Sequence, residues 1–208
     1  IQFVLHFNSD MYYKDTKIRK IIGIINLFPN FVTLIVETNT VTRMKDLIIT
    51  AVIKVYQYDE LNEADQALVK TAKDATARSY SPYSHFSVGA AVLLGNGIVV
   101  TGTNQENAAY PSGLCAERTT LFYANSQYPD QPVVTLAIAA RTEKDFIDRP
   151  IPPCGACRQV ILETEKRYGQ PIRILLYGKE CIYEIKNIGD LLPLSFDASA
   201  MELSLIHI

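Results

Sequence analysis

The sequence predicts an α/β protein, a three-layer α/β/α sandwich around a mixed five-stranded sheet. Segments of helix and strand character follow one another in the order α-β-β-α-β-α-β-β, which implies one mixed sheet with helices packed on both faces. Two runs, Val133–Ala140 and Ile172–Tyr177, are apolar almost throughout, the pattern of strands covered on both sides. Between two further apolar runs lies Gly95-Asn96-Gly97, a hairpin signal.

The first helix spans residues 62–79. Glu63 and Asp65 put acids early, and Leu68, Ala72, Ala75 and Ser79 make a narrow stripe of small and apolar residues at helical spacing. Ser81-Pro82-Tyr83-Ser84 breaks it. Phe86–Leu94 is then a strand, and Ile98–Thr103 its returning partner across the glycine turn. Residues 114–126 form the second helix, with Leu121 and Phe122 on one face. Val133–Ala140 is the third strand. After Pro150–Pro153, residues 154–168 make the third helix, ended by Gly169. Ile172–Tyr177 and the shorter Cys181–Ile185 complete the five strands, and Ile188–Leu192 is a short closing helix.

At 208 residues the chain suits one domain with extensions. Its formal charge of −2 argues against a nucleic-acid partner, which needs a basic face. The N-terminal apolar runs Ile21–Phe28 and Phe31–Val36 are split by Pro29-Asn30. Neither approaches the ~18–20 apolar residues of a membrane span, and nothing there has the layout of a signal peptide. Patterning becomes regular after Met44. We therefore expect a domain over 44–202, with 1–43 an N-terminal extension translated from upstream sequence. The tail 203–208 matches a translated sequencing-adaptor end and is expected to be non-native.

Four cysteines occur, Cys115, Cys154, Cys157 and Cys181. Cys154 and Cys157 form a C-x-x-C step, which marks metal or redox chemistry in a reducing compartment more often than a disulfide framework. Cys115-Ala116-Glu117 and Pro153-Cys154-Gly155-Ala156-Cys157 each open a helix, and the strand between them sets those helices side by side. Helix N-termini carry unpaired N–H groups and about half a positive charge, which lowers thiol pKa values. Two such ends can hold three sulfurs around one Zn²⁺ and leave a fourth tetrahedral position for water, the mark of a catalytic rather than a structural site. Three thiolates on one Zn²⁺ leave a net charge of −1. Arg118 and Arg158, each directly after a ligand motif, are expected to donate to the sulfurs and withdraw that charge.

Other readings compete. C-G-A-C alone also fits a redox pair, although no Trp precedes it and Cys115-x-Glu117 favours metal. A structural zinc, as in a metal-stabilised interaction module, wants a fourth protein ligand. Cys181 is the only other cysteine, and it reads as a small buried residue. His6, His85 and His207 have no ligand spacing.

C-A-E-R followed by P-C-G-A-C-R-Q resembles the cytidine deaminases, in particular the smaller, tetrameric class with three cysteine ligands. The likeness runs from about Leu61 to Phe196. It implies hydrolysis of cytidine and deoxycytidine to uridine and deoxyuridine in pyrimidine salvage, in the cytoplasm, with zinc as cofactor. Glu117 is expected as the catalytic proton carrier: it sits close enough to the metal's water to take its proton without being a ligand. The resemblance implies that Asn104 and Glu106, in Asn104-Gln105-Glu106-Asn107, bind the ribose 3′-hydroxyl, and that Tyr110 closes over the sugar. It places Phe86 against the pyrimidine ring and the backbone amides around Ala116 at the base carbonyl. Ser87 stands where the family more often has Pro. Leu191-Leu192-Pro193-Leu194-Ser195-Phe196 resembles a C-terminal stretch whose Phe reaches a neighbouring active site, which implies a homotetramer. A related three-cysteine deaminase acting on another aminopyrimidine nucleoside, such as blasticidin S, is the alternative; Asn104 and Glu106 favour a ribose.

Overall fold

A computed structural model describes residues 46–201. The expected extension 1–43 and tail 203–208, with His6 and His207, lie outside the described residues. The elements, all within the unit Ile49–Ile208, are β1 (Ile53–Tyr56), α1 (Glu63–Ala75), β2 (Ser87–Leu94), β3 (Val99–Thr103), α2 (Ala116–Gln127), β4 (Val133–Arg141), α3 (Gly155–Tyr168), β5 (Arg173–Tyr177) and β6 (Ile182–Ile185). Among the described residues, no helix is long and apolar enough to cross a membrane.

The strands form one sheet of six in the order β1-β6-β5-β4-β2-β3, one more than the five expected. The addition is β1, which pairs antiparallel with β6 from Ile53↔Ile185 to Tyr56↔Ile182. It is a four-residue edge strand whose first three residues, Ile53 and Val55 among them, stay exposed. Only β4 and β5 pair in parallel, the remaining pairings being antiparallel. The sheet is mixed, as expected.

Alternation along the strands divides the core into two. Ala91, Ala137, Ala139 and Leu175 pack with Leu68, Val69 and Ala72 of α1. Their neighbours Ala90, Val92, Leu136, Ile138, Ile174 and Leu176 face the opposite way, toward Leu121 and Ala124 of α2 and Ile161 and Leu162 of α3. Helices thus cover both faces, and Thr135–Ala140 of β4 and Ile174–Leu176 of β5 are buried on both sides. Phe122 departs from expectation: Leu121 is fully buried, whereas Phe122 is 47% exposed. Consecutive helical positions lie about 100° apart, and the buried stripe of α2 takes only one of them.

Helix ends follow local chemistry. The Asn62 side chain caps α1, accepting from Asp65 N at 2.9 Å. Gly169 ends α3 in the left-handed region at φ 65°, where a side chain is costly. The closing segment is a single 3₁₀ turn, Ile188–Asp190, rather than a helix over Ile188–Leu192. Asp65 does more than face a helix dipole: it is buried and forms a two-pronged ion pair with Arg173, which also reaches Glu184 at 3.1 Å. Lys54 of β1 meets Glu184 at 3.4 Å, so one charge chain joins α1, β5, β6 and β1.

The topology positions the site. Strand β2 is antiparallel to both β3 and β4, so β3 and β4 run the same way. Helices α2 and α3 follow those strands and pack together on one face. Both therefore begin beyond the same carboxyl edge of the sheet, where α/β proteins place ligands. Gly102 lets α2 lie directly on β3, because a methyl group there would run into the backbone and hydroxyl of Thr120.

Candidate active site

Cys115 is the N-cap of α2 and Cys154 the N-cap of α3, both with extended backbone; Cys157 lies in the first turn of α3. Their sulfurs converge. Cys115 Sγ is 3.8 Å from Cys154 Sγ, which is 3.4 Å from Cys157 Sγ. All three lie within 4.8 Å of one another. A tetrahedral zinc with Zn–S bonds of about 2.3 Å holds its sulfurs roughly 3.8 Å apart, so this donor set fits that ion. No fourth Cys, His, Asp or Glu joins the group among the described residues. Cys181 is a half-buried free thiol outside it, not the fully buried residue expected, and the fourth-ligand reading gains no support.

Electrostatics favour thiolate at Cys115. The Cys115 thiol is lowered to about 5, chiefly because it accepts a hydrogen bond from Cys157, with the Arg118 guanidinium helping against burial. Cys157 is pushed up by donating that bond and by its own burial. A cation bound at the cluster would favour the deprotonated form of all three sulfurs.

The two arginines diverge. Arg118 Nη2 reaches Cys115 Sγ at 3.8 Å, and its Nε is buried without a hydrogen-bond partner. Arg158 does not act on sulfur. Its Nε donates to the Pro153 carbonyl at 2.8 Å and its Nη1 to the Leu191 carbonyl at 2.6 Å. Position 158 is one step past Cys157 on α3, so the long side chain turns back along the Pro153 loop rather than into the cluster. It braces the residue before Cys154 against the C-terminal segment. Glu117, one position into α2 after Ala116, is 5% exposed. Burial, reinforced by the Cys115 charge, raises its carboxyl above the usual range.

A groove of about 570 Å³ opens beside the cluster, lined by Tyr83, Asn104, Glu106, Tyr110, Cys115 and Arg118 among others. Asn104 and Glu106 sit in it, tied to the segment before β2. Asn104 Oδ1 accepts from Val88 N at 2.8 Å and from Ser79 Oγ at 2.5 Å, and its Nδ2 donates to Phe86 O at 2.9 Å. Glu106 accepts from Tyr83 N at 2.9 Å, Ser84 N at 3.3 Å and the Ser84 hydroxyl. Those bonds, the Ser84 hydroxyl first, hold its carboxyl below the usual range. Tyr110 is 76% exposed at the rim and meets the Tyr83 ring edge-on, centroids 6.1 Å apart.

Phe86 is half-buried next to this groove without lining it, and the fully buried Ala116 presents only its backbone at the start of α2. Phe196 is 62% exposed; its carbonyl accepts from Gln159 at 2.8 Å. His85 is not a ligand but pairs with Glu143 at 3.1 Å. Sequence reasoning missed Ser79, Ser84 and Leu191. Each acts on a partner 22–33 residues away, and no local pattern signals such a pairing.

Residues 62–168 match the family described as the cytidine and deoxycytidylate deaminase zinc-binding region. The chain is 44% identical over 136 residues to a cytidine deaminase of Halalkalibacterium halodurans, spanning 96% of that protein and 65% of this one. It is 38% identical over 128 residues to a cytidine deaminase of Mycobacterium tuberculosis, spanning 84% of that protein and 60% of this one. The crystal structure of cytidine deaminase from Burkholderia pseudomallei superimposes with a TM-score of 0.55 at 37% identity, covering all of that chain and 65% of this one. With its three-thiol cluster at paired helix starts inside the matched region, the chain belongs to the zinc-binding cytidine deaminase family.

Proposed function

We propose that the protein catalyses hydrolytic deamination of cytidine and deoxycytidine to uridine and deoxyuridine, with zinc as its cofactor. The observation that carries this reading is the convergence of Cys115, Cys154 and Cys157 at adjacent helix starts, with the buried Glu117 two positions beyond one of them. These cysteines hold the ion, and Arg118 withdraws charge from Cys115. When bound, zinc acts as a Lewis acid that brings the pKa of a coordinated water to about 7.

Glu117 moves the protons. Its carboxylate takes one from the attacking water and gives it to N3 of the base, while the water oxygen bonds to C4. It then carries the remaining water proton to the exocyclic amine, which leaves as ammonia as the C4 carbonyl forms. Burial that raises this carboxyl suits a group that must hold a proton between transfers. Backbone N–H groups around Ala116, unpaired at a helix start, receive the base carbonyl, and Phe86 lies against the ring. Asn104 and Glu106 bind the 3′-hydroxyl under Tyr110. The Glu106 carboxylate repels a phosphorylated sugar and so favours nucleosides over nucleotides.

The same reading gives a homotetramer in which Phe196 completes a neighbour's site. It is supported by the exposure of Leu194 and Phe196, at 77% and 62%, on the segment that Arg158 braces. Cytoplasmic pyrimidine salvage accords with free thiols, which persist in a reducing compartment. We assign the deaminase domain to 44–202. The test is the loss of cytidine absorbance with purified protein, with and without a strong chelator. Chelator-sensitive conversion of cytidine and deoxycytidine is expected; a zinc-loaded protein that leaves both intact would overturn the assignment.

A further inference from the structure

Hydrogen-bond polarity around Glu106 and Asn104 limits what they can offer a ligand. An amide oxygen accepts two hydrogen bonds and its nitrogen donates two. Asn104 Oδ1 is filled by Val88 N and the Ser79 hydroxyl, while Nδ2 uses one hydrogen on Phe86 O. Because Val88 N can only donate, the orientation of the amide is fixed, and one N–H remains for the groove. Glu106 Oε2 is filled by the amides of Tyr83 and Ser84, and Oε1 accepts from the Ser84 hydroxyl. One lone pair on Oε1 is left. The pair therefore presents one donor and one acceptor, which matches a sugar hydroxyl that accepts from Asn104 and donates to Glu106.

Ser84 sets this arrangement. Its Oγ accepts from Phe86 N at 3.1 Å, so its own hydrogen is directed to Glu106 Oε1 and the free lone pair has a defined direction. The residue lines the groove at its Glu106 end and belongs to a turn that contacts Glu106 across 22 positions of sequence. We propose that Ser84 is a positioning residue for sugar recognition, acting through Glu106 to make the enzyme select nucleosides with a free 3′-hydroxyl. The inference rests on the assignment of Glu106 as the acceptor for that hydroxyl.

The experiment compares kcat/KM for cytidine and 3′-deoxycytidine in wild type, Ser84→Ala and Ser84→Thr, with circular dichroism and thermal melting to establish folding. A hydrogen bond to a charged group is worth about ten- to a hundredfold, and the two backbone amides on Glu106 remain in the alanine variant. We therefore expect Ser84→Ala to reduce the preference for cytidine by about tenfold, mostly through KM, and the hydroxyl of Ser84→Thr to restore it. If wild type itself treats the two substrates alike, Glu106 is not the sugar acceptor and both readings fall. If wild type discriminates but Ser84→Ala keeps the full preference, or slows both substrates equally, Ser84 is merely structural and the proposal alone is overturned. Should the alanine variant not fold, a folded Ser84→Thr protein that loses the preference overturns the proposal in the same way, and one that keeps it upholds the role of the hydroxyl.

Discussion

Replacing Gly102 by alanine tests whether packing between β3 and α2 sets the geometry of the active site. The added methyl carbon would sit 2.8 Å from Thr120 N and 3.0 Å from Thr120 Cα, besides meeting the Thr120 hydroxyl. Ordinary contacts of this kind are 3.4 Å or longer, so the helix must move away by several tenths of an ångström. Thr120 is fully buried, and its hydroxyl is already committed to Ala116 O at 2.7 Å, leaving no flexible group to absorb the displacement. Overpacking of this kind costs about 1–3 kcal/mol, or a fall in Tm of roughly 3–10 °C for a domain of this size. Function should suffer more than stability. Helix α2 carries both Cys115 and Glu117, whereas Cys154 and Cys157 ride on α3. A displacement of α2 alone therefore changes sulfur–sulfur distances that now stand near the zinc optimum. Misplacement of reacting groups by about 1 Å can cost around 100-fold, so kcat/KM should fall by about tenfold or more and zinc should be released faster. Differential scanning calorimetry, a chelator-release assay with a zinc-sensitive dye and cytidine turnover measure the three quantities. A Gly102→Ala protein with unchanged Tm, zinc release and turnover would refute the claim that this contact positions the site.

Further outcomes are expected. Glu117→Gln should retain zinc yet lose turnover by about 10²–10⁴-fold or more, the range for general acid–base catalysis; near-normal turnover would remove Glu117 from the mechanism. Arg158→Ala frees the Pro153 and Leu191 carbonyls at once, and should lower stability by about 1–3 kcal/mol. Arg158→Lys should not rescue it, since one ammonium cannot reproduce the planar fork; denaturant titration distinguishes the variants, and full rescue by lysine would contradict the bracing role. Phe196→Ala should raise KM for cytidine while leaving the chain folded, if this side chain completes a neighbouring site. Unchanged KM and unchanged sedimentation would show that it does not.

Much of the architecture is readable in the sequence because the relevant signals are local. Val133–Ala140 and Ile172–Tyr177 advertise central strands, and Gly95-Asn96-Gly97 fixes a hairpin through backbone chemistry alone. The cysteine cluster is equally readable, since its members fall in two short motifs at helix starts. Strand β1 escapes because it is a four-residue edge strand whose Ile53 and Val55 stay exposed, so its apolar residues do not reveal that the segment pairs with β6. Phe122 misleads for a related reason: an apolar residue type does not say that its side of a helix is covered. Arg158 shows the limit for side chains. Adjacency to Cys157 places it near the cluster, but its geometry aims it at Pro153 and at Leu191, 33 residues away. Glu106 is recognisable as a polar group at the site, whereas the Ser84 hydroxyl and amide that hold it emerge only from the folded turn.

In the proposed mechanism, three sulfurs on two helix starts hold one zinc ion on which turnover depends. Metal analysis of the purified protein, paired with zinc-edge X-ray absorption and cytidine turnover, tests it most directly. The expected result is about one zinc per chain with three sulfur neighbours near 2.3 Å and one lighter ligand, and parallel loss of metal and activity in Cys115→Ser, Cys154→Ser and Cys157→Ser. Full turnover by protein stripped of zinc, or four sulfurs around the ion with Cys181 among them, would contradict it.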